Sequence, residues 1–269
     1  MSQIKGKTVL ITGASSGIGA ALAREYGGRG ANLVLTARRL DRLKSLQSEL
    51  EVKGIKTLTV KGDVTQDGDL ERVVQSALNK FGKIDTVIAN AGFGVAGDFE
   101  NLNLEDYRRQ FETNLFGVLR TCYASLEELK KSRGTLVLIG SVAGYIALPG
   151  GSPYSMSKFA IRALADSLYS ELEPLGISVV HIAPGFIESE FRQIDNSGNH
   201  HANAPDPISP WIRMPTIAAA QKIANAIERR NREYVVTGHG KILVRIQRFI
   251  PWIFPILARI GIKARKEPT

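Results

Sequence analysis

The chain of 269 residues contains one cysteine, Cys122, so no internal disulfide can form. A lone thiol in an apolar helical stretch fits a reducing cytoplasm and excludes a small disulfide scaffold. Only four histidines are present, and His200-His201 lie in a polar loop where solvation is the ordinary state, so no metal site is expected. No internal repeat of solenoid period occurs, nor any low-complexity tract. Six residues precede the first apolar run and hold no hydrophobic leader, so a secretory signal is not expected. Acidic residues are scarce at the end of the chain. From Arg229 to Thr269 ten basic residues face two acidic ones, which accounts for +8 of the net charge of +9. The basic balance is therefore a property of the tail.

What is present is enough for one sizeable core: 43% of residues are hydrophobic. Short β-branched apolar runs alternate with helical patterns, the rhythm of a parallel sheet with helices on both faces. Strands are expected near 7–12, 32–37, 57–61, 84–89, 134–140, 177–183 and 233–236. Helices fill the gaps, with long ones near 103–131 and 153–173.

Two constellations carry chemistry. The first strand runs straight into Gly13-Ala14-Ser15-Ser16-Gly17-Ile18-Gly19 and then an Ala/Leu-rich helix. A strand that turns through glycines into a helix start forms a phosphate cradle, because backbone N–H groups and the helix dipole face the anion. The second is Tyr154-Ser-Met-Ser-Lys158, with Ser141 thirteen positions upstream. Met156, Phe159, Ala160, Ile161, Leu164, Ala165 and Leu168 form an apolar stripe at helical spacing, so Tyr154 and Lys158 share one helix face. A phenol titrates near about 10. A cation one turn away favours the phenolate and brings the group toward the working range.

Together these motifs resemble the short-chain dehydrogenase/reductase family from Lys7 to about Val236. The pattern comprises Thr12 to Gly19, Asn90-Ala91-Gly92, Asn114, Ser141, Tyr154 to Lys158 and Pro184-Gly185, all in order. The resemblance implies a Rossmann-type doubly wound α/β fold of about seven strands, and hydride transfer between a nicotinamide and a carbonyl or alcohol carbon. It implies that Tyr154 is the acid in reduction and the base in oxidation, and that Lys158 lowers the Tyr154 pKa and bonds the nicotinamide ribose. Ser141 donates to the substrate oxygen, and Asn114 supports a water relaying protons to Lys158. The cofactor set is Gly13, Ser15, Ser16, Gly17, Ile18, Gly19, Asp63, Val64, Asn90, Ala91, Gly92, Tyr154, Lys158, Pro184, Gly185, Ile187 and Ser189, with Ser189 where a threonine is commoner.

Cofactor choice is read at the end of the second strand. Asn32 to Ala37 ends without a carboxylate and is followed by Arg38-Arg39. Guanidinium forks suit a 2′-phosphate, so NADP(H) is expected over NAD(H), with Arg38 ahead of Arg39. The alternative is that both arginines cap a basic loop and that Asp41 serves the ribose.

The pocket is expected to be apolar and to hold Ser141, Tyr154, Phe93, Leu148, Phe186 and Trp211, favouring a hydrophobic ketone or secondary alcohol, with lipid-derived compounds one case. Residues 190–215, with Pro205, Pro207 and Pro210, read as a mobile lid over a catalytic domain at 1–239. The tail at 240–269 alternates bulk with Lys241, Arg245 and Arg248 at helical spacing, and Pro251 and Pro255 interrupt it. It is a poor membrane span and reads as short amphipathic helices on an anionic membrane surface, or as a segment docked on the same protein. A protein peripheral at the cytoplasmic membrane face follows from the first reading. No nucleic-acid module is recognisable. By resemblance, pairing through the two long helices gives a homodimer or homotetramer. A cofactor-binding sensor without turnover is the other class, set against the complete Asn114, Ser141, Tyr154 and Lys158 set.

Overall fold

The computed structural model describes residues 4–201, 203, 204, 206, 208–256, 258 and 259. Pro205, Pro207 and the tail beyond 259 lie outside the described residues. Seven strands form one parallel sheet: β1 (Thr8–Thr12), β2 (Asn32–Ala37), β3 (Thr57–Lys61), β4 (Thr86–Ala89), β5 (Thr135–Ile139), β6 (Ser178–Ala183) and β7 (Glu233–Val235). Their order is β3-β2-β1-β4-β5-β6-β7. The chain therefore reverses its direction of travel between β1 and β4. In an open parallel sheet such a reversal leaves a crevice at the carboxyl ends of the strands.

The strands are apolar on both faces because both are covered. In β1, Val9 and Ile11 face a cluster with Leu22, Leu43 and Ile223, from α1 (Gly17–Gly28), α2 (Leu40–Val52) and α7 (Thr216–Glu228). Leu10, between them, faces the opposite cluster with Val73, Val118 and Ile161. Those residues come from α3 (Asp69–Phe81), α5 (Gly117–Ser132) and α6 (Ser152–Leu172), and the two-residue alternation of a strand thus sorts one core into two layers. Arg29, just past α1, ties the first layer to α7. Its guanidinium reaches Glu228 at 2.6 Å, Glu25 at 2.6 Å and Asn225 Oδ1 at 2.8 Å.

The expected helix over 103–131 is broken. α4 (Leu104–Phe111) starts with an Asn103/Asp106 capping box, and a π-helical segment, Glu112–Phe116, separates it from α5. Helical spacing alone does not reveal an inserted residue, because the apolar stripe continues on either side. Cys122 is buried in α5, and burial pushes its thiol up to about 12, so it is unreactive at neutral pH.

The tail begins with α8 (Gly238–Phe249), whose N-cap Thr237 accepts the Gly240 N–H at 3.2 Å. One face of α8 packs: Val244 is buried with Tyr145, Ile146 and Ala183, and Leu243 and Phe254 lie against that cluster. The other face is open at Ile242 and Phe249, and beyond the helix Ile250, Trp252 and Ile256 are exposed as well. Among the described residues no helix is long and apolar enough to cross a membrane.

Candidate active site

The crevice at the strand ends is a cavity of about 980 Å³. Its first wall is the turn between β1 and α1. Gly13 (φ +66°) and Gly17 (φ +53°) adopt left-handed backbone that favours glycine. A Cβ on Gly13 would lie 2.8 Å from the Ala91 Cα, and one on Gly19 would lie 2.5 Å from the Gly13 carbonyl. Thr12 joins this turn to the end of β4: its hydroxyl accepts the N–H groups of Asn90 at 3.0 Å and Ala91 at 3.1 Å. Asn90 answers with Nδ2 to the carbonyl oxygens of Thr12 (2.9 Å) and Gly13 (3.3 Å). Thr12 was visible in the sequence only as the first letter of the glycine motif, and its side-chain bonds were not.

Arg39 closes the turn from outside, with Nη2 donating to Ser16 Oγ at 2.7 Å and Ser15 Oγ at 3.2 Å. Arg38 lines the cavity and makes no hydrogen bond or ion pair among the described residues. Asp63 and Val64 also line it. Asp63 Oδ1 accepts from Thr65, at 3.0 Å from N and 2.9 Å from Oγ1. The buried Thr36 hydroxyl has no partner, beneath Gly62. A backbone cradle that Cβ atoms would fill, a guanidinium without a partner and serine hydroxyls at a helix start together fit a dinucleotide.

The second wall comes from β5 and α6. Ser141 caps the short turn Val142–Gly144, accepting the Ala143 N–H at 3.1 Å. Tyr154 and Lys158 occupy the first turns of α6, with the Lys158 ammonium 5.8 Å from the phenol ring centroid. Lys158 Nζ donates to the Ile139 carbonyl at 2.9 Å, and burial brings its pKa down from 10.5 to about 8. Burial raises the Tyr154 pKa, while the hydrogen bond to Ser141 and the charge of Arg192 pull it down. The expected lowering by Lys158 is not found: its charge is not among the groups that pull the phenol down, and removal of the phenol from water, where its anion would be hydrated, sets the direction. A phenol so held stays protonated and can give a proton to an oxygen that gains charge.

Pro184, Gly185, Ile187 and Ser189, which follow β6, line the cavity too, as do Ser15, Ile18 and Gly92. Gly19 lies behind this surface, supporting the turn. Asn114 also lies behind it: Oδ1 accepts the Phe93 N–H at 3.1 Å and Nδ2 donates to the Phe93 carbonyl at 3.0 Å. Both ends of its amide serve the 93–95 wall, together with Gln110, whose Oε1 accepts the Val95 N–H at 2.6 Å.

Phe93, Leu148 and Phe186 line the cavity, as does Phe191, which meets the Tyr154 ring edge-on at 5.5 Å. Trp211 does not. It is 95% exposed, in the turn Pro210–Ile212, whose brevity leaves nothing on that side to cover it. In its stead the tail supplies apolar wall through Leu243 and Phe254, with His239 stacked on Phe186 at 5.4 Å. Several contacts run through the segment expected to be a mobile lid. Asp206 holds Arg192 at 2.6 Å and Arg213 at 2.9 Å, and Met214 bridges to Ile187. His201 pairs with Asp195 at 2.7 Å.

The family model described as short chain dehydrogenase matches residues 7–200. The chain belongs to this family. It is an oxidoreductase of alcohol and carbonyl groups on a fold that binds a nicotinamide cofactor. The dehydrogenase is 32% identical to a Dictyostelium discoideum protein named "Dehydrogenase/reductase SDR family protein 7-like", over 95% of this chain and 82% of that one. It is 39% identical to "11-beta-hydroxysteroid dehydrogenase 1A" of Arabidopsis thaliana, over 84% and 67%. Among solved structures, an alcohol dehydrogenase of Thermococcus sibiricus complexed with 5-hydroxy-NADP is 28% identical. It superposes with a TM-score of 0.76 over 86% of this chain and 96% of that one. A short chain dehydrogenase/reductase of Burkholderia phymatum in complex with NAD shares the fold, with a TM-score of 0.83 over 100% and 98% at 22% identity.

Proposed function

We propose that the dehydrogenase is an NADPH-dependent carbonyl reductase of hydrophobic, lipid-like ketones, and in reverse an NADP-dependent dehydrogenase of secondary alcohols. The observation that carries this reading is one continuous cavity that holds Arg38 and Ser15, the apolar Leu243 and Phe254, and Ser141, Tyr154 and Lys158. A bound nicotinamide dinucleotide supplies or accepts the hydride. Gly13 to Gly19 cradle its phosphates, and Arg38, which has no competing partner, takes a 2′-phosphate. Arg39 is already engaged with Ser15 and Ser16 and steadies the turn.

Ser141 donates to the substrate oxygen as negative charge develops there, and Tyr154 delivers the proton that completes reduction. Lys158 keeps a positive charge beside the phenol, which favours the phenolate left behind. Asn114 holds the Phe93 backbone and so the shape of the wall opposite. The Arabidopsis and Thermococcus relatives, named for a hydroxysteroid and for a complex with an NADP derivative, agree with an apolar substrate and a phosphorylated cofactor.

Residues 1–239 form the catalytic unit, with the lid at 190–215. The tail from 240 serves two surfaces at once. Its packed face closes the cavity, while its open face, with Phe249 77% and Trp252 65% exposed beside Lys241, Arg245 and Arg248, suits an anionic bilayer surface. A homodimer or homotetramer is part of the proposal by family resemblance.

The test is oxidation of NADPH and of NADH against carbonyl compounds graded in apolarity. Turnover rises with apolarity. Tyr154→Phe costs at least about 100-fold in kcat and leaves NADPH binding intact. Arg38→Ala weakens NADPH by about 10- to 100-fold and NADH by much less. Undiminished turnover in the Tyr154 variant refutes the chemistry, and equal losses for both dinucleotides refute the phosphate assignment. Flotation with phosphatidylserine vesicles tests the tail: the protein floats at low salt, and failure to float removes the membrane surface.

A further inference from the structure

The start of the lid contains three consecutive residues that touch three different parts of the site. Ser189 lies against the glycine turn, since a Cβ on Gly17 would be 3.3 Å from the Ser189 Cβ. Phe191 points the other way: its ring meets Tyr154 edge-on and fills the space over Gly94, where a Cβ would approach it to 2.9 Å. Between them, Glu190 leaves the cavity and reaches the start of α2. Both its carboxylate oxygens accept from Arg42 Nη1 at 2.6 Å, and one lies 3.4 Å from Arg39 Nη1. His200, farther along the lid, places Nε2 3.6 Å from the same carboxylate.

Arg39 thus belongs to two assemblies. Through Nη2 it holds Ser15 and Ser16 of the phosphate turn, and through Nη1 it meets the lid carboxylate. All three groups are about two-thirds removed from solvent, so the pairing is screened less than an open surface bridge. A short helical turn, Glu190–Gln193, makes the segment stiff enough for a pull at Glu190 to be felt at Phe191.

We propose that Glu190 is a positioning residue that ties the lid to the nucleotide end of the site, so that occupancy of the phosphate turn fixes Phe191 over the Tyr154 phenol. The inference rests on the cofactor reading given above. A dinucleotide that orders Ser15, Ser16 and Arg39 orders Arg39's second partner too. The arrangement seen here, with Phe191 against Tyr154, is then held from the cofactor side before any substrate arrives. Phe191 shields the phenol most firmly when the turn is filled, which limits proton loss from an incomplete site.

Hydrogen–deuterium exchange with and without saturating NADP⁺ tests this on the full chain. In the wild type, NADP⁺ slows exchange both over residues 13–19 and over 187–200, the latter by about 10-fold or more. In Glu190→Gln, protection over 13–19 remains and protection over 187–200 falls below about 2-fold. The exchanged pair Glu190→Arg with Arg42→Glu restores lid protection to within about 3-fold of wild type, which a loss of mere local packing would not. Lid protection retained in Glu190→Gln, with the turn protected, overturns the proposal and leaves the cofactor reading standing. A swapped pair no better than either single variant also overturns it. Absence of protection over 13–19 in the wild type removes the cofactor reading and this proposal together.

Discussion

Lys158 is an ammonium buried without a carboxylate, and its replacement by methionine should make the protein more stable. Burial lowers its pKa from 10.5 to about 8, which means the folded state disfavours its charge. That difference corresponds to about 3 kcal/mol of destabilisation wherever the side chain is charged in both folded and unfolded chains. The Ile139 carbonyl, 2.9 Å from Nζ, loses its donor in the variant, which returns about 1–2 kcal/mol of cost. Lys158→Met, of similar length and shape, should therefore gain about 1–2 kcal/mol at pH 7.

The sign with pH is fixed by the direction of the shift. Between about pH 8 and 10.5 the unfolded chain holds a proton that the folded chain has released, so the Lys158 contribution to stability rises with pH across that window. The wild type should close the gap on the variant there and overtake it by the value of the Ile139 bond. Urea unfolding of both proteins without cofactor, at pH 7 and in steps to pH 10, reads this directly. A variant less stable than wild type at pH 7, or a gap that stays constant to pH 10, refutes the reasoning. The variant should also lose carbonyl reduction, so stability and turnover move in opposite directions at one residue.

Gly19→Ala places a Cβ 2.5 Å from the Gly13 carbonyl and 2.7 Å from Asn90 Nδ2, so NADPH binding measured by fluorescence titration should be lost. Arg29→Ala removes the tie between α1 and α7 and leaves Glu25 and Glu228 without their shared cation. Thermal unfolding should fall by the equivalent of about 2–3 kcal/mol. Asn114→Ala frees both backbone groups of Phe93 and should cost about 2 kcal/mol in urea unfolding, with kcat/KM lowered through a loosened 93–95 wall.

Strand positions were legible because buried parallel strands are short, nearly continuous apolar runs. β2 and β3 match their expected spans, and the others are trimmed by one or two residues at their ends. The cofactor turn was legible because its glycines answer to steric limits that act over a few residues. The π-helical step at Glu112–Phe116 was not, since one inserted residue leaves the apolar stripe of the following helix unchanged. Trp211 shows a second limit. Aromatic character says that burial would be favourable, whereas the three-residue turn that carries it decides where it points. Asn114 was legible as a motif position, but the grip of its side-chain amide on Phe93 was not, because a helix position fixes the residue but not the partner that folds against it.

The wall made by Leu243 and Phe254 stands outside the seven strands and beyond residue 200, where the family match ends. The parts that bind a dinucleotide and hold the phenol are set by strand ends, where one shifted residue disturbs the whole sheet. Leu243, on α8, and Phe254, beyond it, belong to no strand. Changes of size at Leu243 or Phe254 can therefore enlarge or narrow the cavity while β1, β4 and β5 keep their register. Under the proposed function, such a division would let a few tail substitutions exchange one substrate for another, with the reaction itself unaltered.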